Sequence, residues 1–258
     1  MTRSILDTEL QQLDEQIIHL GTLVDEALDK VLEALETGDL AKSGLVIESD
    51  AAVDSLRAAV EEHAIRLLTL QQPLFGRDLR YLASTLSIAS DLERMGDATE
   101  GIAQIILRMS PLQSNTSFQT AHTAKTAPFG NASNYLTEQS ARHSLIELGR
   151  EAQRVLKGTM KAFAERNSKA ARYIWEEDDV VDVRYHLVRH DLMAMMTGVH
   201  AIPALQQDAK VLHRVTYLLW IAHKLERIGD HCSNICERIV FIVEGEADIT
   251  QLAHKQET

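Results

Sequence analysis

The sequence predicts an all-helical protein made of two tandem three-helix units, and three observations carry that prediction. The chain holds 12 Gly, 4 Pro and 5% aromatic residues in 258 positions, too few turn and strand formers for a sandwich or barrel. Apolar residues recur in steps of three and four over long runs, the spacing of a buried helix face. The same plan returns in the second half, letter for letter in places.

In the first unit, residues 1–109, Leu6, Leu10, Leu13, Ile17, Leu20, Val24, Ala27, Val31 and Leu35 line one face of a long first helix. It should stop near Thr37-Gly38, where glycine accepts the left-handed conformation, with Asp39 capping the next helix. That second helix runs to about Leu70. Pro73 then interrupts the pattern, because the residue before a proline is steered away from helix. A third helix resumes through Met109. Residues 110–134 read as a Ser/Thr/Asn-rich linker, inside a stretch from 110 to 137 that has no Asp or Glu. The second unit, residues 135–245, repeats the scheme with helices at about Tyr135–Ala164, Ser168–Val199 and, after a break at Ala201-Ile202-Pro203, a last one to Glu244. Residues 246–258 form a polar tail. The repeat shows in the letters: residues 47–54 match 175–182 at an offset of 128, and residues 93–97 match 226–230 at an offset of 133.

A net charge of −12 gives no footprint for a nucleic-acid backbone and suits a protein that attracts cations or basic partners. The first residues carry acids where a secretory signal needs a basic start. The longest apolar runs fall far short of the roughly 18 residues of a membrane span. With two cysteines, Cys232 and Cys236, a reducing compartment is the simplest setting. A cytoplasmic protein without membrane insertion is expected.

The informative feature is where carboxylates fall on the apolar seams. Asp50 stands between Val46 and Val53, Glu93 follows Leu86 and Ala89, Asp178 lies between Ile174 and Val181, and Glu226 follows Leu219 and Ala222. Each has a second carboxylate four residues on: Asp54, Asp97, Asp182 and Asp230. Like charges at that spacing share a helix face and repel, more so when partly buried. Two such helices facing each other would make an oxygen-rich site for a hard cation such as iron, manganese or magnesium. The alternative is a solvated acidic edge or a salt-bridge network using Arg57, Arg94, Arg184 and Arg227.

The segments DLERMGD (91–97) and KLERIGDHCSNICERI (224–239), with LLTLQQPLFGRDLR (67–80), resemble the PhoU family of phosphate-signalling regulators. The resemblance covers about residues 5 to 245, apart from the linker. It implies two three-helix bundles related by pseudo-twofold symmetry, in which Asp50, Asp54, Glu93 and Asp97, and Asp178, Asp182, Glu226 and Asp230, hold multinuclear iron or zinc clusters. It implies a non-enzymatic regulator that restrains the phosphate ABC transporter and a two-component sensor kinase when phosphate is plentiful. The implied partners are the transporter's ATP-binding subunit, the kinase and a second copy in a homodimer. Family members often continue G-D-H with an Asn three residues after the His. The second unit keeps His231 and Asn234, whereas the first has Ala98 and Gly101, so the first site is expected to bind metal more weakly or to hold fewer ions. Rival readings are a carboxylate-bridged di-metal enzyme, such as an oxidase or phosphohydrolase, and a metal-free helical scaffold.

His186 and His190 continue the four-residue spacing from Asp178 and Asp182, but each step turns about 40° past a full turn, and a solvated face is expected for them. His223 is read as a packed or surface histidine, and Cys232 and Cys236 as small core residues. Met193, Met195 and Met196 are read as core filling, and Trp175 and Trp220 as core anchors. No nucleophile elbow, P-loop or dinucleotide turn is present.

Overall fold

A computed structural model describes residues 3–70, 74, 76–110, 138–201 and 209–245. These form seven helices and, among the described residues, no strand: α1 (Arg3–Thr37), α2 (Leu40–Leu70), α3 (Gly76–Met109), α4 (Glu138–Ala164), α5 (Ser168–Glu176), α6 (Asp178–Ala201) and α7 (Ala209–Glu244). The linker beyond Ser110, the proline breaks and the tail lie outside the described residues. No described helix is long and apolar enough to cross a membrane.

The end of α1 follows its sequence. Gly38 takes a φ of +76° and its amide donates to the Ala34 carbonyl at 2.9 Å, while the Asp39 carboxylate accepts from the Ala41 amide at 3.0 Å and starts α2. At the end of α4 the left-handed residue is Arg166, with a φ of +52°, a conformation that costs a side-chain-bearing residue about 1–2 kcal/mol. Its guanidinium offsets that cost. It lies 4.7 Å from the Tyr81 ring centre and 4.6 Å from that of Phe163 and forms an ion pair with Asp14, which also accepts from the Tyr81 hydroxyl at 2.7 Å. Arg166 therefore ties α4 to α1 and α3.

The structure corrects one element. A single helix is expected from Ser168 to Val199, but the chain turns at Glu177 between α5 and α6. Asp178 and Asp179 fall in the first turn of α6, where the helix dipole favours acids and a new helix start. The Glu177 carbonyl accepts from the Val180 amide at 3.0 Å, a three-residue spacing that tightens the turn, and the Glu177 carboxylate reaches Arg154 of α4 at 3.1 Å. Ser49 occupies the equivalent place in α2, which runs unbroken.

α1 packs along α4 and α3 along α7, and one core runs through both units, from Leu20 and Leu92 to Phe163 and Leu225. The closest approaches are reciprocal. A Cβ added at Gly21 would meet Met160 Cε at 2.6 Å, and one at Gly149 would meet Leu32 Cδ1 at 3.2 Å and press into Cδ2. Positions 21 and 149, like 32 and 160, stand 128 apart, the offset of the Asp54/Asp182 repeat. The α3–α7 contact behaves alike at an offset of 133: Asn234 reaches Asp91, and Lys224 lies over Gly101. When i touches j and their equivalents touch in exchange, the relation is a twofold.

Cys232 and Cys236 are buried, and Trp175, Met195 and Met196 pack against the core. Met193 and Trp220 do not: they are 45% and 50% exposed. Trp220 falls between the buried Leu218 and Ile221 and so points to the other side of α7.

Candidate functional site

The structure gathers six of the eight sequence-identified carboxylates into two clusters. In the first, Asp50 and Asp54 of α2 meet Asp97 of α3; in the second, Asp182 of α6 meets Glu226 and Asp230 of α7. Within each cluster one oxygen per residue lies within 4.8 Å of the others. Val53 packs on Gly96, where a Cβ would stand 3.0 Å from Val53 Cγ1 and 3.7 Å from Asp50 Oδ1. The bare backbone at Gly96 is thus what lets α2 approach α3 at the carboxylates.

Glu93 is not in the first cluster. Its carboxylate faces the Arg57 guanidinium at 4.0 Å, whereas Glu226 is met by His223 Nδ1 at 3.1 Å. The repeat explains the difference: Ser90 stands where the second unit has His223, and Tyr185 where the first has Arg57. Asp178 opens α6, but its side chain lies outside the described residues.

Both clusters carry excess negative charge. Partial burial, then the charges of Glu100, Asp54, Asp97 and Glu93, push the Asp50 carboxyl up to about 6. Asp97 is raised by burial, Asp54 and Glu100, with Lys224 and Arg94 opposing. Burial and Asp230 raise Glu226, against His223; burial and Asp182 raise Asp230, against His231, Arg227 and His223. A salt-bridge network would have lowered these groups. Arg57 instead pairs with Glu61 at 2.7 Å and Arg184 with Glu147 at 3.6 Å.

These shifts have a stability consequence. Protonation of Asp50 is favoured in the folded chain, so its stabilising effect is complete below the ordinary carboxylate value of 3.8 and is lost as pH rises through about 6. With a third of the full effect surviving solvent screening, the metal-free protein is expected to gain about 1 kcal/mol between pH 7.5 and pH 4.5 from this group. Melts of Asp50→Asn and the parent in chelator check this: the variant should lose that part of the pH dependence.

His231 and Asn234 do not join the second cluster. They hold Asp91 of α3 instead, with His231 Nδ1 2.9 Å from Asp91 Oδ1 and the Asn234 amide donating to the same oxygen at 3.4 Å. His186 and His190 are exposed, as expected. Glu100, whose charge bears on Asp50 and Asp97, was not legible. Its signal was its place three residues after Asp97, but the repeat puts Ser233 opposite it.

Comparison with known proteins agrees with this architecture. A family model described as the PhoU domain matches residues 17–106 and 145–239. A phosphate-specific transport system accessory protein PhoU homolog of Streptococcus pneumoniae serotype 4 is 30% identical over 244 residues, covering 95% of this chain and 97% of its own. The phosphate-specific transport system accessory protein PhoU of Escherichia coli K12 is 28% identical over 240 residues, 93% of this chain and 86% of that one. The crystal structure of the phosphate transport system regulatory protein PhoU from Streptococcus pneumoniae superimposes with a TM-score of 0.72 at 29% identity, covering 94% of this chain and 98% of that one. The structure of PhoU from Pseudomonas aeruginosa gives 0.75 at 24% identity, which speaks to the fold. These relatives are named as accessory and regulatory proteins, not as enzymes. Because both repeat units match the family model, and a relative at 30% identity runs alongside nearly the whole chain, the protein belongs to the PhoU family.

Proposed function

We propose that this chain is a non-enzymatic regulator of phosphate uptake and phosphate-starvation signalling whose carboxylate clusters hold metal. The observation that carries the regulatory reading is the end-to-end likeness to proteins named as accessories of the phosphate-specific transport system. On this reading the chain works at the cytoplasmic face, restraining the ATP-binding subunit of the phosphate ABC transporter and a sensor kinase when phosphate is plentiful, and it pairs with a second copy.

The donor chemistry supports the metal reading. Asp50, Asp54 and Asp97 would hold one centre, and Asp182, Glu226 and Asp230 the other. All-carboxylate sets suit iron, manganese or magnesium better than zinc, which favours nitrogen and sulfur. A bound cation would offset the excess negative charge of each cluster. The chain's own part is to bring α2 to α3, and α6 to α7, with both carboxylate sets already converged.

Deleting the gene is expected to leave phosphate-starvation genes switched on in high phosphate, read by a promoter reporter. Normal repression in a strain with no second copy overturns the regulatory reading. Co-purification of the native protein with the transporter's ATP-binding subunit tests the partner directly.

A further inference from the structure

The two ends of the α3–α7 seam are equivalent by the repeat and opposite in charge. At one end Asp91 sits beneath His231 and Asn234. At the other, 133 positions away in each helix, Lys224 replaces Asp91, and Ala98 and Gly101 replace the histidine and asparagine. The Lys224 side chain runs across Gly101: a Cβ there would lie 2.7 Å from Lys224 Cε and 3.4 Å from Cδ, with Nζ closer still. Only a residue without a side chain leaves that path open. Gly101 stands one helical turn beyond Asp97, so the path carries an ammonium from the second unit towards the carboxylates of the first. Among the described residues Lys224 makes no ion pair within 4 Å, so it is not locked to one acid. Its charge nonetheless opposes the rise of the Asp97 carboxyl. The second cluster has no such lysine, since Asp91 occupies the matching place.

We propose that Lys224 is a resident countercharge for the Asp50–Asp54–Asp97 cluster, competing there with a metal cation and giving the first cluster a weaker metal affinity than the second. The inference rests on the reading that the clusters hold metal. A cation entering the first cluster meets an ammonium already drawn to the same acids, and like charges that close oppose each other. The expected weakness of the first site thus acquires a different cause. His231 and Asn234 are engaged with Asp91, and the lysine laid over Gly101 is a difference between the clusters that opposes a cation at the first, while Glu100 there and His223 at the second act the other way.

The test uses the full chain with Glu226→Gln and Asp230→Asn, so that Mn²⁺ added as the probe reports on the first cluster alone. Titration calorimetry should show Lys224→Met, which keeps the stem and removes the charge, binding Mn²⁺ about tenfold more tightly. Gly101→Ala, which bars the path, should tighten binding in the same direction. The two together should add little to either alone, since both remove one interaction. Mn²⁺ binding that is unchanged by Lys224→Met overturns this proposal and leaves the metal reading standing. Absence of Mn²⁺ binding in every variant and in the parent chain overturns the metal reading itself. Melts in chelator then decide the countercharge role: Lys224→Met should lower the melting temperature where Asp97 is present and not in an Asp97→Asn background. An equal effect in both backgrounds overturns the proposal.

Discussion

Replacing Glu226 with Gln and Asp230 with Asn is expected to abolish metal uptake at the second cluster and to erase its metal-dependent gain in stability. Both changes keep the shape of the side chains and remove two of three converging charges. In the parent, a cation that binds only the folded state stabilises it by mass action, about 2.7 kcal/mol at a hundredfold excess over Kd. For a chain of this size that is roughly 5–10 °C in melting temperature. Without metal the variant should be as stable as the parent or slightly more so, because burial and mutual repulsion already raise both carboxyls, and any such difference should shrink in high salt. The matching pair in the first cluster is Asp54 with Asp97, not Glu93 with Asp97, and its metal-dependent gain should be smaller. Elemental analysis and melts with and without chelator give the answer. Unchanged metal content and melting temperature in both double variants would make these carboxylates ordinary surface acids, with the fold left intact.

Gly149→Ala should cost about 2 kcal/mol, against the usual direction of such a change. In an open helix the substitution gains roughly 0.5–1 kcal/mol. Here the new methyl would overlap Leu32 Cδ2 and crowd Cδ1 at 3.2 Å and Cγ at 3.3 Å. Leu32 is fully buried and cannot swing away, so the overlap becomes backbone shift or rotamer strain of about 1–3 kcal/mol. Gly21→Ala meets the end of the flexible Met160 side chain and should cost less. Denaturant unfolding of Gly149→Ala, Leu32→Ala and the double variant tests the contact: the double should lose less than the sum of the singles. Additive losses would mean that Gly149 and Leu32 do not share one space.

How far the sequence reads depends on which force sets each feature. The α1 face and its stop at Gly38 were legible because apolar period and left-handed backbone are local properties. The carboxylate clusters were legible because four pairs recur at repeat positions, which no single pair would have justified. The fate of Glu93 was not, since it depends on Arg57 across the α2–α3 groove. The direction of His231 was hidden for the same reason: its partner, Asp91, stands 140 positions away. The break at Glu177 needed both a local acidic run and Arg154 on another helix, and only the first is written nearby.

The reciprocal packing of α1 on α4 and α3 on α7 is the geometry of a symmetric dimer closed within one chain. In a dimer of identical halves, any substitution at a contact appears at both of its copies. A lysine over a glycine at one end would have to face a lysine over a glycine at the other. Joining the halves into one polypeptide lifts that restriction, and the two ends of the α3–α7 seam have used the freedom, one holding Lys224 over Gly101 and the other Asp91 beneath His231 and Asn234. A fused pair can drift into two inequivalent halves while the backbone keeps its symmetry, and on the proposed metal reading a single molecule would answer one ion at two concentration thresholds.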